Sequence, residues 1–245
     1  MPSNEPWYDR FFRTEYLAFD EHPNTALEID FILNTLNLPN GSRLLDLCCG
    51  YGRHAIPLAQ LGLFVTGLDR SLQMLHGAQQ YATKGKTSVP FVRADMRAFP
   101  FELPFDAIIS LFSSVGYFDN ESENFIVFQN IAEALKPNGR FLIETTNRDF
   151  VVKHSLPVQV YRPNNMLLIE ERSFDALTSR THVEVTVIQN GCETHLSHTI
   201  RIYTPTELDL LLASVGLNTI AVWGDFHGNN FTSDSQHMIL LAEKA

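Results

Sequence analysis

The sequence is poor in cysteine, in long apolar runs and in basic residues. Its three cysteines, two of them adjacent at Cys48 and Cys49, cannot build a disulfide framework. No apolar stretch approaches the roughly 20 residues of a membrane span, and the first residues lack the basic-then-apolar order of a signal peptide. We therefore expect a cytoplasmic protein with no membrane partner.

The charge balance argues against a nucleic-acid partner. The chain carries 18 Lys and Arg against 28 Asp and Glu, a formal net charge of -10, and its basic residues form no cluster that would neutralise phosphates. Metal ligands at suitable spacing are also scarce, because adjacent Cys48 and Cys49 with His54 do not match a tetrahedral zinc site. We expect a small-molecule partner and no metal.

Strand and helix patterns alternate through the first part of the 245 residues. Helices are predicted at 25–36, 54–61, 71–82 and 122–135, with Ser71 as an N-cap. Strands are predicted at 43–47, 64–68, 89–93, 107–111 and 140–144. This alternation predicts an α/β fold with a parallel sheet that binds its ligand at the carboxyl ends of the strands.

The pattern changes after Thr145. From about residue 158 to 203 apolar and polar residues alternate with period two, and Asn190-Gly191 is a hairpin signal. Thr204-Pro205 then begins a helix that runs to Val215, and strands follow at 219–223 and 237–243. We predict one domain over 1–245, with an N-terminal helical cap at about 1–40 and a β-rich insertion at about 148–203 over the active site.

The segment from Leu44 to Ala55 contains the most informative motif. A buried strand ends near Asp46. The chain then passes through Gly50 and Gly52 and begins a helix, which places backbone N–H groups where a ligand binds. Gly50-x-Gly52-x-x-Ala55, followed by Asp69, also fits a dinucleotide site, so an NAD-dependent oxidoreductase stays an alternative. The charge of Asp46, however, would repel a pyrophosphate and favour a cationic ligand.

Four stretches, taken in order, resemble the class I S-adenosylmethionine-dependent methyltransferases. They are the acidic glycine loop at 46–52, the second-strand end at 67–71, the turn at 94–96 and the helix-turn-strand sequence at 135–143. The resemblance covers the chain from about Arg43 to Ala245, and one departure is Cys48 at the loop's first glycine position. It implies a Rossmann-like, mainly parallel seven-stranded sheet whose last strand is antiparallel, with the insertion after the fifth strand.

The resemblance also implies roles for individual residues. Gly50 and Gly52 would let the backbone approach the methionine part of S-adenosylmethionine, Asp46 would hold its amino group, Asp69 its ribose and Asp95 its adenine. The implied cofactor-binding residues are Asp46, Cys48, Gly50, Gly52, Asp69, Arg70, Asp95, Met96, Leu111 and Tyr16. Phe112 beside Leu111 would complete the floor under the sulfonium.

Methyl transfer requires in-line positioning of the acceptor, and a base only where the acceptor must lose a proton. The candidate catalytic residues are Tyr117, Arg172, Arg201 and Tyr203. The insertion residues share strand faces that form either a polar wall over the pocket or a solvent-facing surface. The aromatic residues Tyr8, Phe11, Phe12 and Tyr16 form either a lid or a helix packed on the core.

The resemblance therefore predicts methyl transfer from S-adenosylmethionine to a small molecule. The acceptor, the methylated atom and the oligomeric state stay open. A non-catalytic module that binds the cofactor and acts through a partner is a further alternative.

Overall fold

Two β-sheets and the helices around them build the molecule, a computed structural model that describes residues 5–12, 22–163 and 165–245. In chain order the strands are β1 (Arg43–Leu47), β2 (Phe64–Asp69), β3 (Phe91–Arg93), β4 (Phe105–Ser110), β5 (Leu135–Thr146), β6 (Val158–Tyr161), β7 (Leu167–Asp175), β8 (Arg180–Gln189), β9 (Cys192–Arg201), β10 (Leu217–Trp223) and β11 (His237–Lys244). The helices are α1 (Trp7–Phe11), α2 (Thr25–Leu36), α3 (Ala55–Gln60), α4 (Leu72–Lys84), α5 (Glu121–Ala134), α6 (Arg148–His154) and α7 (Pro205–Ser214).

The central sheet has seven strands in the order β10-β11-β5-β4-β1-β2-β3. β11 runs antiparallel to both neighbours, and the other pairs are parallel. Both faces are buried: Leu44 belongs to one hydrophobic core and Leu45 to the other, because successive side chains of a strand point to opposite faces. This is the mainly parallel, seven-stranded Rossmann-like fold that the resemblance implied.

The second sheet is the insertion between β5 and α7. Its four antiparallel strands lie in the order β6-β7-β8-β9. Asn190 and Gly191 link β8 to β9 with positive φ angles of 53° and 78°, which a type I′ hairpin turn requires. One face of this sheet packs Val183 and Val185 against Phe11 of α1, so the insertion covers the N-terminal helix.

Several predicted boundaries agree closely with the observed elements. The predicted strand at 43–47 and helix at 25–36 have the observed ends, and Ser71 caps α4 by accepting from the Met74 N–H. Thr204 and Glu207 form a capping box with Pro205 in the first turn of α7. Helix α6 was not predicted, and β5 begins five residues earlier than the predicted start at 140.

Candidate functional site

A cavity lies at the carboxyl ends of β1, β2 and β4. Parallel strands bring their final residues to one edge of the sheet, so loops distant in sequence meet there. Eight of the ten predicted cofactor-binding residues line it: Asp46, Cys48, Gly50, Asp69, Arg70, Asp95, Met96 and Leu111. Tyr117 of the catalytic candidates lines it as well. Tyr16 lies outside the described residues.

Asp46 is the buried carboxylate of the cavity. Its side chain sits in β1 with the residue 2% exposed, and its Oδ2 has no hydrogen-bond partner among the described residues. Burial raises the pKa of Asp46 to about 7, with Asp69 adding to the increase and Arg53 opposing it. The carboxylate accepts a backbone hydrogen bond from Ala55, but a buried oxygen without a partner is costly, so this site favours a ligand that brings a hydrogen-bond donor or positive charge.

The two glycines of the loop have different surroundings. The Gly50 N–H donates to Asp69 Oδ2 at 2.9 Å and holds that carboxylate at the cavity wall, while the Ser71 N–H holds Asp69 Oδ1 at 2.8 Å. Gly52 does not line the cavity. A Cβ at Gly52 would lie 3.1–3.3 Å from Phe91, Ile56 and Ala78, so this glycine permits close packing behind the loop. Its approach to the cofactor stays a prediction.

Asp95 is held by two arginines. Oδ1 accepts from the Arg97 backbone N–H and Nε at 2.9 and 3.0 Å, and Oδ2 accepts from Arg70 Nη1 and Arg97 Nη2 at 2.6 and 2.7 Å. Burial alone would raise the pKa of Asp95, but these arginines hold it below its ordinary value. Its four lone-pair positions are filled, so a bond to the adenine amino group requires one arginine contact to be released.

Arg70 connects this acid to the N-terminal helix. Its Nε and Nη2 donate to Asp9 Oδ1 and Oδ2 at 2.7 and 2.9 Å, while Nη1 binds Asp95. Its guanidinium also lies 5.4 Å from the centre of the Tyr8 ring. The predicted cofactor residue Arg70 therefore also fastens α1 over the cavity.

Aromatic rings of α1 form the roof of the cavity. Tyr8 and Phe12 line it and stack on Tyr117 at ring-centre distances of 6.3 and 6.0 Å. Phe11 points away, into the core shared with the insertion, and contacts the His198 ring at 5.0 Å. The helix therefore both packs on the core and covers the site, and the opening and closing of a lid stays a prediction.

One ionic cluster at the glycine-loop end was not predicted from the sequence. Glu28 of α2 accepts from His54 Nε2 at 2.6 Å and from Arg53 Nη1. Burial raises the pKa of Glu28, yet His54 and Arg53 together lower it to about 2. Arg53 and His54 line the cavity. These contacts span 25 and 26 residues, and no local pattern marks them.

Three of the catalytic candidates lie outside the cavity. Arg172 pairs with Glu170, which lies two residues before it in β7. Arg201 binds Glu121 and Glu207, and the Tyr203 hydroxyl donates to Glu121 Oε2 at 3.2 Å, with Tyr203 only 1% exposed. Arg201 and Tyr203 therefore join the end of the insertion to α5 and α7. The polar wall over the pocket, one of the two alternatives for these strand faces, stays a prediction.

Tyr117 faces the cavity but is unsuited to act as a base. Burial raises the pKa of its hydroxyl far above the ordinary value, and the nearby Asp69 carboxylate adds to this increase. The hydroxyl stays protonated at neutral pH. Its contribution to the site is therefore its shape and its stacking with α1.

The described residues contain no group of three His, Cys, Asp or Glu side chains placed to hold a metal ion. In the same part of the chain no helix has both the length and the apolar character of a membrane span. The carboxylates of the cavity instead fit S-adenosylmethionine. Unpaired Asp46 Oδ2 can hold its ammonium, and Asp69, fixed by two backbone N–H groups, can accept its ribose hydroxyls.

Comparison with known proteins supports this fit. A family model described as a methyltransferase domain matches residues 44–139. The glycine/sarcosine N-methyltransferase of Aphanothece halophytica is 26% identical over 231 residues, which cover 91% of this chain and 84% of that protein.

Solved methyltransferases share the fold. CcbJ from Streptomyces caelestis has a TM-score of 0.86 at 21% identity and covers 98% of both chains. CalS10 from Micromonospora echinaspora, an amino pentose methyltransferase solved with S-adenosylmethionine bound, has a TM-score of 0.70 at 21% identity and covers 94% of this chain and 95% of that one.

These matches decide between the cofactors that the glycine loop left open. The family model begins at the strand that carries Asp46 and ends beyond the turn that carries Asp95, so it spans the residues that form most of the cavity. The enzyme uses S-adenosylmethionine, and the NAD alternative is not supported. The chain is an S-adenosylmethionine-dependent methyltransferase with the Rossmann-like fold of the class I enzymes.

Proposed function

We propose that the enzyme methylates a small molecule, and that the acceptor atom is an amino nitrogen. The observation that carries the first part is the cover over the cavity: α1, itself covered by the insertion, lies over the carboxyl ends of the strands. A lining of apolar and aromatic side chains with a few polar groups is typical of small-molecule sites. The cavity therefore suits the cofactor together with a small acceptor.

The names of related proteins support a nitrogen acceptor. The Aphanothece halophytica relative, named as acting on glycine and sarcosine, is an N-methyltransferase, and CalS10 is named for an amino pentose. An uncharged amine carries its own lone pair and needs no base at the moment of attack. This agrees with a cavity in which the hydroxyl of Tyr117 stays protonated.

The residues of the cavity bind and orient. Asp46 holds the ammonium group of the cofactor's amino acid part, and Asp69 holds the hydroxyls of its ribose. Leu111 and Phe112 follow β4 and form the wall beside the glycine loop. When bound, S-adenosylmethionine supplies an electrophilic methyl group. The α1 rings exclude water from the site, so catalysis rests on holding the acceptor in line.

Calorimetry with S-adenosylhomocysteine and, separately, NAD tests the cofactor. Incubation with S-adenosylmethionine labelled at its methyl group, in a metabolite extract, then tests the acceptor. We expect label in a low-molecular-weight amine that survives mild alkaline hydrolysis. Label in a protein or nucleic-acid fraction would contradict a small acceptor, and label in an alkali-labile ester would contradict nitrogen. The cytoplasmic location stays a prediction from the cysteine content.

A further inference from the structure

The loop after β4 forms part of the cavity wall, and its backbone has an unfavourable conformation. Phe112 and Ser113 have φ angles of 63° and 54°, in the left-handed region that non-glycine residues rarely adopt. Consecutive residues of this kind persist only where the surrounding structure fixes them. The main chain of β5 contributes to this: the Ser113 N–H donates to the Glu144 carbonyl at 3.2 Å, and the Thr146 N–H donates to Ser113 Oγ at 2.8 Å.

The Glu144 carboxylate supplies the most direct restraint. It is 3% exposed, and its Oε2 accepts from the Phe112 N–H at 2.5 Å. Its Oε1 lies 2.7 Å from His237 Nδ1. Glu144 faces Ile239 across the β5–β11 pair, so His237 is its diagonal neighbour, within reach of a long side chain. The carboxylate therefore bridges β11 to the loop that carries Phe112.

Phe112 connects the Glu144 hydrogen bond to the cavity. Its side chain lines the cavity and is 50% exposed, with the His22 ring edge-on at 4.6 Å and the Arg53 guanidinium 5.6 Å from its ring centre. Arg53 belongs to the glycine-loop end of the cavity, where Asp46 lies. The Phe112 ring thus forms part of the wall that an acceptor must pass to reach the methyl group.

We propose that Glu144 and His237 are positioning residues for methyl transfer, which fix the Phe112 loop and so set the place of the acceptor. The proposal rests on the proposed function for its effect on catalysis, and on the structure alone for the hydrogen-bond bridge. Neither residue lines the cavity, so their action passes through the Phe112 backbone.

The bridge makes the loop sensitive to pH. His237 faces the carboxylates of Glu144 from β5, Glu28 from α2 and Asp225 from the segment after β10, and the uncharged Phe226 ring at 6.1 Å. The hydrogen bond to Glu144 raises the pKa of His237, although partial burial opposes this. His237 therefore keeps its charge to a higher pH than an ordinary histidine, and the bridge weakens as the pH rises through that value.

Nuclear magnetic resonance on protein labelled with 15N-phenylalanine tests the bridge without an acceptor. Phe112→Leu identifies the Phe112 amide, which we expect to resonate far downfield because it donates to a carboxylate. Its shift should move with the same pH midpoint as the His237 ring. His237→Gln should remove that midpoint, and Glu144→Gln should move the amide upfield. His182→Gln, at an exposed histidine of the insertion, is the matched control and should change neither.

The hydrogen-bond bridge is refuted if the Phe112 amide does not resonate downfield in the wild type, or if its chemical shift does not change as His237 titrates. The catalytic part is tested by label transfer in the metabolite extract. We expect Glu144→Gln to reduce transfer by between about 10- and 100-fold, with S-adenosylhomocysteine affinity within about twofold of the wild type. Transfer that keeps its rate and pH profile in both variants overturns the positioning role. Failure of the wild type to bind S-adenosylhomocysteine would instead refute the proposed function. The resonance experiment would still test the hydrogen-bond bridge, because it needs neither cofactor nor acceptor.

Discussion

Replacing Asp46 by Asn should stabilise the ligand-free protein and at the same time weaken cofactor binding. The pKa of Asp46 is raised from 3.8 to about 7, so the folded state holds a proton that the unfolded chain releases above about pH 4. The stability that this proton contributes is fully present below pH 3.8 and is lost as the pH rises through 7. At pH 8 the buried charge costs at most about 4 kcal/mol, and Asp46→Asn removes that cost.

Cofactor binding should show the opposite dependence on pH. The ionised fraction of a group with a pKa of about 7 rises roughly tenfold between pH 6 and pH 8, which corresponds to about 1.4 kcal/mol. If Asp46 pairs with the cofactor's ammonium, S-adenosylhomocysteine should bind about tenfold more weakly at pH 6 than at pH 8. The Asn variant should lose this dependence and, without a hydrogen bond to a charged group worth about 1.5–3 kcal/mol, bind about 10- to 100-fold more weakly at pH 8.

Titration calorimetry at both pH values, with thermal unfolding of the ligand-free protein, measures both effects. Asp209→Asn changes an exposed carboxylate of α7 and should leave affinity, pH dependence and unfolding temperature at their wild-type values. The reasoning is refuted if the wild type binds equally well at both pH values, or if Asp46→Asn retains the pH dependence. A lower unfolding temperature of the Asn variant at pH 8 would refute the assignment of a destabilising buried charge to Asp46.

Three further substitutions test the surroundings of the site. Gly116→Ala should lower the free energy of unfolding, measured by chemical denaturation, by several kcal/mol, because its Cβ would lie 2.1 Å from the Arg201 carbonyl oxygen. Gly191→Ala has open space around its Cβ and should lower it by only about 1–2 kcal/mol. Equal losses in the two variants would contradict the predicted clash. Tyr203→Phe should leave S-adenosylhomocysteine affinity and label transfer within about twofold of the wild type, and a large loss of transfer alone would restore it as a catalytic candidate. Thr204→Ala should reduce the free energy of unfolding by about 1 kcal/mol, and an unchanged value would show that the capping box of α7 contributes nothing measurable.

The elements that could be predicted from sequence are those fixed by neighbours in the chain. The 43–47 strand is apolar over most of its length, and Thr204, Pro205 and Glu207 specify a helix start within four residues. The carboxyl ends of the strands then placed Asp46 and Asp69 in one cavity, since parallel strands share an edge. These inferences need only local pattern and the rules of the α/β fold.

The contacts that could not be predicted join distant segments of the chain. Alternation placed Arg201 and Tyr203 on one strand face, but it could not show that this face meets Glu121 of α5. The bridge from Glu144 to Phe112 and His237 spans 32 and 93 residues. Which partner a buried carboxylate finds depends on the packed tertiary structure, and a single sequence does not encode that partner in its spacing.

Cys48 shows how a local departure from pattern can itself indicate a functional loop. The resemblance places a glycine at this position, and Cys48 nevertheless has a φ of 62°, a conformation that costs a side chain about 1–2 kcal/mol. Its thiol compensates by packing 3.7 Å from Met96 Sδ at the cavity wall. Strain of this kind collects where backbone geometry serves a ligand. The strained residues Cys48 and Phe112 both line the same cavity, which places the unfavourable backbone conformations of two loops at the site.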